Sequence, residues 1–565
     1  VTTESTGDRG ERASILSSSA VMAAGTVVSR LSGLVRGILL AAALGAGLHA
    51  DLFTIANTIP NMLYILLAGG VFNAVLVPQL VRAMERDPDR GEAYTNRVVT
   101  LAALFLGAVT VLLVLAAPWV MQIFLSGQYD TPQLAEQRES VIAFARYCLP
   151  QVFFYGMFVL VGQVLNSRHV FGPMMWAPIA NNVIAVGVLV LYLLTWGPAP
   201  PGELTGPYEP AQEALLGIGS TLGIVAQFLI LVPYLRRAGV RYRPRVDFRG
   251  TGLGHTLRLG SWTVLFVIVN QLAYTVVVKL ASGGTAAEAV AGPGGDLEAT
   301  GYTVYSTSFL IVMVPHSVIT VSLATAILPR LSARAADGDL AGLAGTLAET
   351  MRTALAVMIP FAALLPVVAL DLAHALYGYG ANSETWVLYG PTLSLFGFGI
   401  LFFTVHYLVL RGFYAIEETR TVFFIQCAVA GTNILAAVLL VRATGPAATS
   451  PSLVVAYGLS YLVGSVVSLL VLRNRLGTVD GGRLARFVLR VLVATSPGIA
   501  LAWVVTWWLR GAGLDETSGG AMVTLAAAGL VAAVTYLLLA RLLRLREVTD
   551  VLDLVTRRVR GRRAR

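Results

Sequence analysis

Arg30 and Arg36 stand inside one apolar run, residues 22–45. A charged side chain in hydrocarbon costs several kcal/mol, so it normally faces protein or water. On a helix, the spacing of these two separates them by about 9 Å along the axis and about 120° around it. They do not share one narrow stripe, yet both can line a wide cavity. Two cations lining a polar cavity in a membrane would meet an anion. Gly25, Gly33 and Gly37 lie beside them, and small residues let helices approach closely or bend. Arg30 also admits a plainer reading, snorkelling from the cytoplasmic end of its helix. Arg36, flanked by Leu34, Val35 and Ile38, fits that reading less well.

Lys279 is the only lysine in the chain. It falls near the expected outer end of the seventh apolar run. There it can add a third cation to the cavity from the opposite lobe, or snorkel to the outer headgroups. Asp51 begins the second apolar run, where a carboxylate favours the positive end of a helix. Asp51 can also gate the cavity by pairing with an arginine in one conformation. Pro60 and Asn61 are expected to break the second helix, and Gly69 with Gly70 to permit another bend. Pro315 and His316 occupy a comparable place in the eighth. Broken helices mark moving parts of transporters. His316 is expected to be a satisfied buried histidine.

The elements that carry these residues follow from hydropathy. The chain has 565 residues, is 56% hydrophobic and has a mean hydropathy of +0.74. Apolar runs of about 20 residues recur about fourteen times. Backbone groups in lipid must be satisfied internally, so these runs are helices. The fold class is therefore an all-α polytopic membrane protein. Its expected plan is two six-helix lobes around a central cavity, with two extra helices at the C-terminus. The boundaries read as a cytoplasmic N-terminal segment (1–20), an N-lobe (21–235), an interfacial linker (236–258), a C-lobe (259–474), a final helix pair (475–543) and a basic tail (544–565). Val77-Pro78-Gln79-Leu80 is echoed by Leu328-Pro329-Arg330-Leu331, and Asn182 to Ala185 by Asn433 to Ala436 at the same offset. Six helices per half is an even number, so the lobes should relate by an axis along the membrane normal.

The formal charge is +9, but its placement excludes a nucleic-acid reading. Arginines cluster in every second loop, and loops 197–212, 283–300 and 376–389 hold no Lys or Arg. This is the positive-inside pattern with both termini cytoplasmic. Cys148 and Cys427 lie in apolar segments and read as packed thiols. The polar first twenty residues do not read as a cleavable signal peptide. Phosphate-loop, zinc-ligand and nucleophile-elbow motifs are absent from the sequence. Asp371 is the main acidic residue inside a helix, so ion coupling is not legible.

Several segments together resemble one family. They are Thr26 to Arg36, Gly45-Ala46-Gly47 with Asp51, Ile59-Pro60-Asn61, and Gly70 to Pro78. Leu165 to Arg168 with Ala177-Pro178 and Asn181-Asn182, Gly412 to Ala415, and Thr419 to Thr421 continue the pattern. The chain resembles the MurJ (MviN) family of lipid II flippases, within the multidrug/oligosaccharidyl-lipid/polysaccharide exporter superfamily, over about residues 15–545. Its Ala-, Arg-, Gly- and Val-rich usage resembles that of an actinobacterium.

The resemblance implies alternating access through a V-shaped cavity whose cations bind the pyrophosphate of lipid II. It also implies a groove for the polyprenyl tail between the last two helices. Arg30, Arg36 and Asp51 match family functional positions. The helix-2 arginine usual in the family falls at Tyr64, and the helix-8 arginine near Leu310; Lys279 is expected to supply part of that charge. The resemblance implies a transporter and not an enzyme, in the cytoplasmic membrane and without cofactor; membrane potential acting on the cavity charges, about 2.3 kcal/mol per charge per 100 mV, or an ion would drive it. Lipid II, the membrane and other cell-wall synthesis proteins are the expected partners of a monomer. A transporter of another polyprenyl-linked oligosaccharide is the closest alternative, followed by a drug antiporter and a membrane enzyme or scaffold of wall synthesis.

Overall fold

The computed structural model describes residues 25, 27–66, 91–168, 170–247, 253–292, 298–477 and 481–549. Every regular element among them is helical. Thirteen helices among the described residues are long and apolar enough to cross a membrane. The second expected span, 52–83, is described only in its first part. Gly69, Gly70 and the repeat segment 77–80 lie outside the described residues, as do 1–24 and 550–565. The chain forms two compact units, 1–282 and 283–565.

In the first unit the helices are α1 (Val27–Leu44), α2 (Leu48–Tyr64), α3 (Glu92–Leu115), α4 (Ala117–Phe124), α5 (Ala135–Cys148), α6 (Gln151–Ser167), α7 (Gly172–Thr195), α8 (Pro210–Leu229) and α9 (Leu231–Arg237). Helix α10 (Leu253–Ala291) runs on from here across the boundary. Local chemistry sets the starts. Glu209 and Gln212 form a reciprocal capping box at α8, with Pro210 at its first turn, where a proline's missing N–H is no loss. Helix α2 packs on α5 and α6, and α7 on α8. The outward faces stay apolar, as at Leu194, which is 80% exposed. Such a face is stable only against lipid.

Pro60 does not break α2. The helix continues through it to Tyr64 and then loosens into a π-type turn at 65–66. A proline removes one backbone bond, and here both flanks of the helix are held by α5 and α6. Asn61, on the next position, is exposed. Pro315 stands in the last turn of its α-helix. Helix α11 (Tyr302–His316) gives way to a π-helical turn, Ser317–Val321, before α12 (Ser322–Ala336).

The linker between halves is extended over 240–247 and lies along α3. Asn96 donates to the Arg241 carbonyl at 3.3 Å and accepts from the Arg243 N–H at 3.3 Å. Thr100 Oγ1 accepts from the Arg245 N–H at 3.1 Å. Arg97 donates twice to Asp247, at 2.7 and 3.1 Å, and this hydrogen bond holds the exposed Asp247 carboxyl below the usual carboxylate range. The contact therefore persists at neutral pH and is lost only as pH falls. Two of these bonds depend on Asn96, so Asn96→Ala should speed amide exchange at 241–243 by about tenfold. Hydrogen-exchange mass spectrometry reads that directly; unchanged protection would mean that the side chain does not hold the linker.

The second unit continues with α13 (Leu340–Tyr377), α14 (Tyr389–Ala415), α15 (Thr419–Thr444), α16 (Thr449–Leu476), α17 (Gly481–Gly511) and α18 (Ser518–Leu542). Asp339 caps α13 and Thr517 caps α18, each accepting from a backbone N–H. Helices α13 and α14 cross closely at Gly397, where an added Cβ would stand 2.5 Å from the Ala362 carbonyl oxygen. The final pair, α17 and α18, pack on each other and on α13. Asp371, the acid inside a span, is buried and paired with Arg510 at 2.5 Å. It joins α13 to α17. Both cysteines are free thiols.

Candidate functional site

Helix α1 is held by α7. Asn182 donates to the Ser29 carbonyl at 3.0 Å and to Ser32 Oγ at 2.8 Å. Gly33 faces the same amide, since a Cβ there would stand 3.7 Å from Asn182 Nδ2. Gly37 is half-buried. This clamp explains why Gly33 and Asn182 occur together, and it fixes the rotation of the helix that carries both arginines. Arg30 is exposed and Arg36 half-buried. Neither makes a hydrogen bond or ion pair among the described residues.

Arg36 is close enough to Tyr155 and Cys148 to interact electrostatically with both. Tyr155 stacks on Tyr64, with ring centroids 5.5 Å apart and planes 20° from parallel. Tyr64 is the position at which an arginine was expected from the family pattern. Here it is a tyrosine, stacked on the ring that stands near Arg36. Tyr155 escaped the sequence reading because aromatic residues in a span are usually packing. The signal that could have found it is the departure at Tyr64. Behind the pair lies a polar layer: Gln151 donates to Asn57 at 3.0 Å and to Thr221 at 3.3 Å. A guanidinium has five donors, and the site offers Arg36 no carboxylate among the described residues. The arrangement can bind a phosphate group, with tyrosine hydroxyls as further donors.

Lys279 lies elsewhere in the same unit. Its Nζ donates to the Gln122 carbonyl at 3.2 Å, and the side chain is exposed. It borders a cavity of about 130 Å³ with Tyr129, Asp130 and Arg138, the latter two 3.6 Å apart. Asp51 is buried in the first turn of α2, where Gly47 holds the cap position. It interacts electrostatically with Tyr129 and Tyr208. Tyr208 stacks on His49 at 3.5 Å and donates to the His49 carbonyl. Tyr129 thus stands between the surroundings of Asp51 and of Lys279, apart from the Arg36 cluster. In the second unit, Leu310 is half-buried, and His316 shares a hydrogen bond with Thr404 at 3.0 Å while its other ring nitrogen has no partner.

Helices α13, α17 and α18 enclose an open apolar groove of about 340 Å³, lined by Pro360, Phe361, Ile499, Gly529 and Tyr536 among others.

The model of the family described as lipid II flippase MurJ matches residues 40–520. The chain belongs to the lipid II flippase MurJ family. A probable lipid II flippase MurJ of Haemophilus influenzae is 27% identical over 413 residues, which cover 70% of this chain and 75% of that protein. A solved lipid II flippase MurJ in an inward closed conformation superposes with a TM-score of 0.68 at 16% identity, covering 92% of this chain and 99% of that one. An inward-facing multidrug resistance MATE family transporter of the MOP superfamily gives a TM-score of 0.60 at 15% identity, over 80% and 96%. Family membership makes this a multi-pass membrane transporter, and the fold is that of the superfamily.

Proposed function

We propose that the chain flips lipid II, the lipid-linked peptidoglycan precursor, from the inner to the outer leaflet of the cytoplasmic membrane by alternating access. The observation that carries this reading is Arg36, a cation inside a membrane span with the Tyr155 side chain beside it and no carboxylate partner among the described residues. A pyrophosphate diester carries about two negative charges and cannot cross hydrocarbon unaided. Arg36 and Arg30 meet the pyrophosphate, while the polyprenyl tail stays in lipid along the groove of α13, α17 and α18. Both termini are cytoplasmic, which the arginine-rich alternate loops support. The protein carries no catalytic centre and no cofactor in this reading. Alternating access draws on membrane potential, about 2.3 kcal/mol per charge per 100 mV, or on an ion. It works as a monomer beside other wall-synthesis proteins.

Cells depleted of their own lipid II flippase test the assignment. Growth and outer-leaflet lipid II should return when this chain is expressed. Correct insertion without rescue would favour another polyprenyl-linked glycan as cargo.

Lys279 serves as a further cation that the head group meets, and Asp51 as a gate. Lys279→Ala should then slow translocation by about tenfold, the loss of roughly one charge-assisted contact. Full activity of Lys279→Ala at matched expression would leave it a headgroup-snorkelling lysine.

A further inference from the structure

We propose that the first unit carries a site for one small monovalent anion, in the cavity where Lys279 of α10 meets the segment between α4 and α5. The site stands whether or not the cargo is lipid II. Two cations line it, Lys279 and Arg138. Lys279 Nζ has three donors, and one goes to the Gln122 carbonyl at 3.2 Å. Arg138 stands 3.6 Å from Asp130, beyond hydrogen-bonding reach, and makes no hydrogen bond among the described residues. Asp130 is the one carboxylate of the lining, so two positive charges face one negative charge. The surplus is a single positive charge. Like charges gathered at one cavity repel unless an anion sits between them.

Neutral donors converge on the same space. Tyr129 is 2% exposed, lines the cavity, and its hydroxyl has no partner among the described residues. Ser126 Oγ, also in the lining, is buried without a partner as well. A buried hydroxyl left so is costly, and an anion would accept from it. Asp51 acts on Tyr129 electrostatically from outside the lining. The local fold fixes these groups. The short 3₁₀ turn Gly127–Asp130 carries Tyr129 and Asp130. Ser282 Oγ accepts from the Ser126 N–H at 2.9 Å and donates to the Lys279 carbonyl at 2.8 Å. The turn of α10 that bears Lys279 is thereby tied to the loop that bears the hydroxyls. The cavity has a volume of about 130 Å³, the share of about four waters. That admits a halide or a single carboxylate, and no sugar ring. The anion is then a free halide, or a carboxylate whose carrier stays outside. Space for a carrier exists at Gly127, where an added Cβ would meet nothing within 4 Å. Once bound, the anion would join α10 to the α4–α5 segment through donors from both.

The test is hydrogen-exchange mass spectrometry of the full chain in detergent, in sodium sulfate, sodium chloride or sodium N-acetylalanine at one ionic strength. Sulfate, which is divalent, serves as the reference. Amides of 126–131 should exchange about fivefold more slowly in a monovalent anion that occupies the cavity. Protection by chloride would assign a free halide. Protection by N-acetylalanine without chloride would assign a carried carboxylate, and N-acetylalanine amide should then have no effect. The double variant Lys279→Gln with Arg138→Gln should exchange alike in every salt. Lys279→Arg should keep the difference, which separates charge from folding. Tyr129→Phe should need about fivefold more anion for the same protection, because one donor is lost. Equal exchange of wild type in all three salts, or an undiminished difference in the double glutamine variant, would overturn the proposal.

Discussion

Arg36→Ala is expected to reduce lipid II translocation by about a hundredfold while leaving insertion and stability intact. A hydrogen bond to a charged group contributes about 1.5–3 kcal/mol, and a guanidinium fork makes two to a phosphate. Losing both removes about two decades of affinity. The stability side runs the other way. Arg36 has no ion pair among the described residues, so its presence in a span is a cost of several kcal/mol, and its removal does not strand a partner charge. A thermal unfolding midpoint equal to or above wild type, together with lost transport, is therefore the signature of a binding residue. Arg36→Lys should keep part of the activity, since the charge remains but the fork is gone. If Arg36→Ala lost stability and transport together, the guanidinium would be part of the packing and the pyrophosphate would bind elsewhere.

The second large effect concerns the ion pair between α13 and α17. Arg510 donates to both Asp371 oxygens, at 2.5 and 3.3 Å, and also to the Val367 carbonyl. The Asp371 side chain is 2% exposed and that of Arg510 29%. Breaking a buried pair by removing one partner typically costs about 3–5 kcal/mol, because a charge is left uncompensated. The partial exposure of Arg510 screens some of that, so Arg510→Ala should cost about 2–3 kcal/mol. Asp371→Asn in the same background should recover part of the loss, since the stranded carboxylate is then gone. Thermal unfolding of the purified protein, with the four members of the cycle, measures this. An additive cycle would mean that the two side chains do not interact in solution.

The helices were legible in the sequence because membrane spans obey one strong rule, about 20 apolar residues each. The cation-bearing helix was legible for the same reason, since a charge deep in such a run, as at Arg36, must face protein or water. What the sequence concealed depends on contacts between segments far apart. Tyr155 became part of the Arg36 cluster only when α6 was placed beside α1 and α2. The clamp of Asn182 on Ser29 and Ser32 links positions 150 and 153 residues apart. Pro60 was expected to end regular structure, but packing on both sides carries α2 through it. Lys279, a candidate cavity cation, donates to the Gln122 carbonyl, and Arg36 interacts electrostatically with Tyr155 and Cys148; neither set of partners is visible along the chain. The arginines at 483–490 and 544–546 read along the chain as an orientation signal. Only the pairing of α17 with α18 gathers them into one pocket.

The central claim is tested most directly in vesicles that contain the purified chain and lipid II labelled on its head group. The labelled lipid is placed in one leaflet, and its appearance in the other is followed with a membrane-impermeant quencher, with and without an imposed membrane potential. Transfer is expected to require the protein, to be lost with Arg36→Ala, and not to occur for the same lipid carrying no pyrophosphate. Transfer by wild type and Arg36→Ala at the same rate, or none by wild type in either potential, would contradict it.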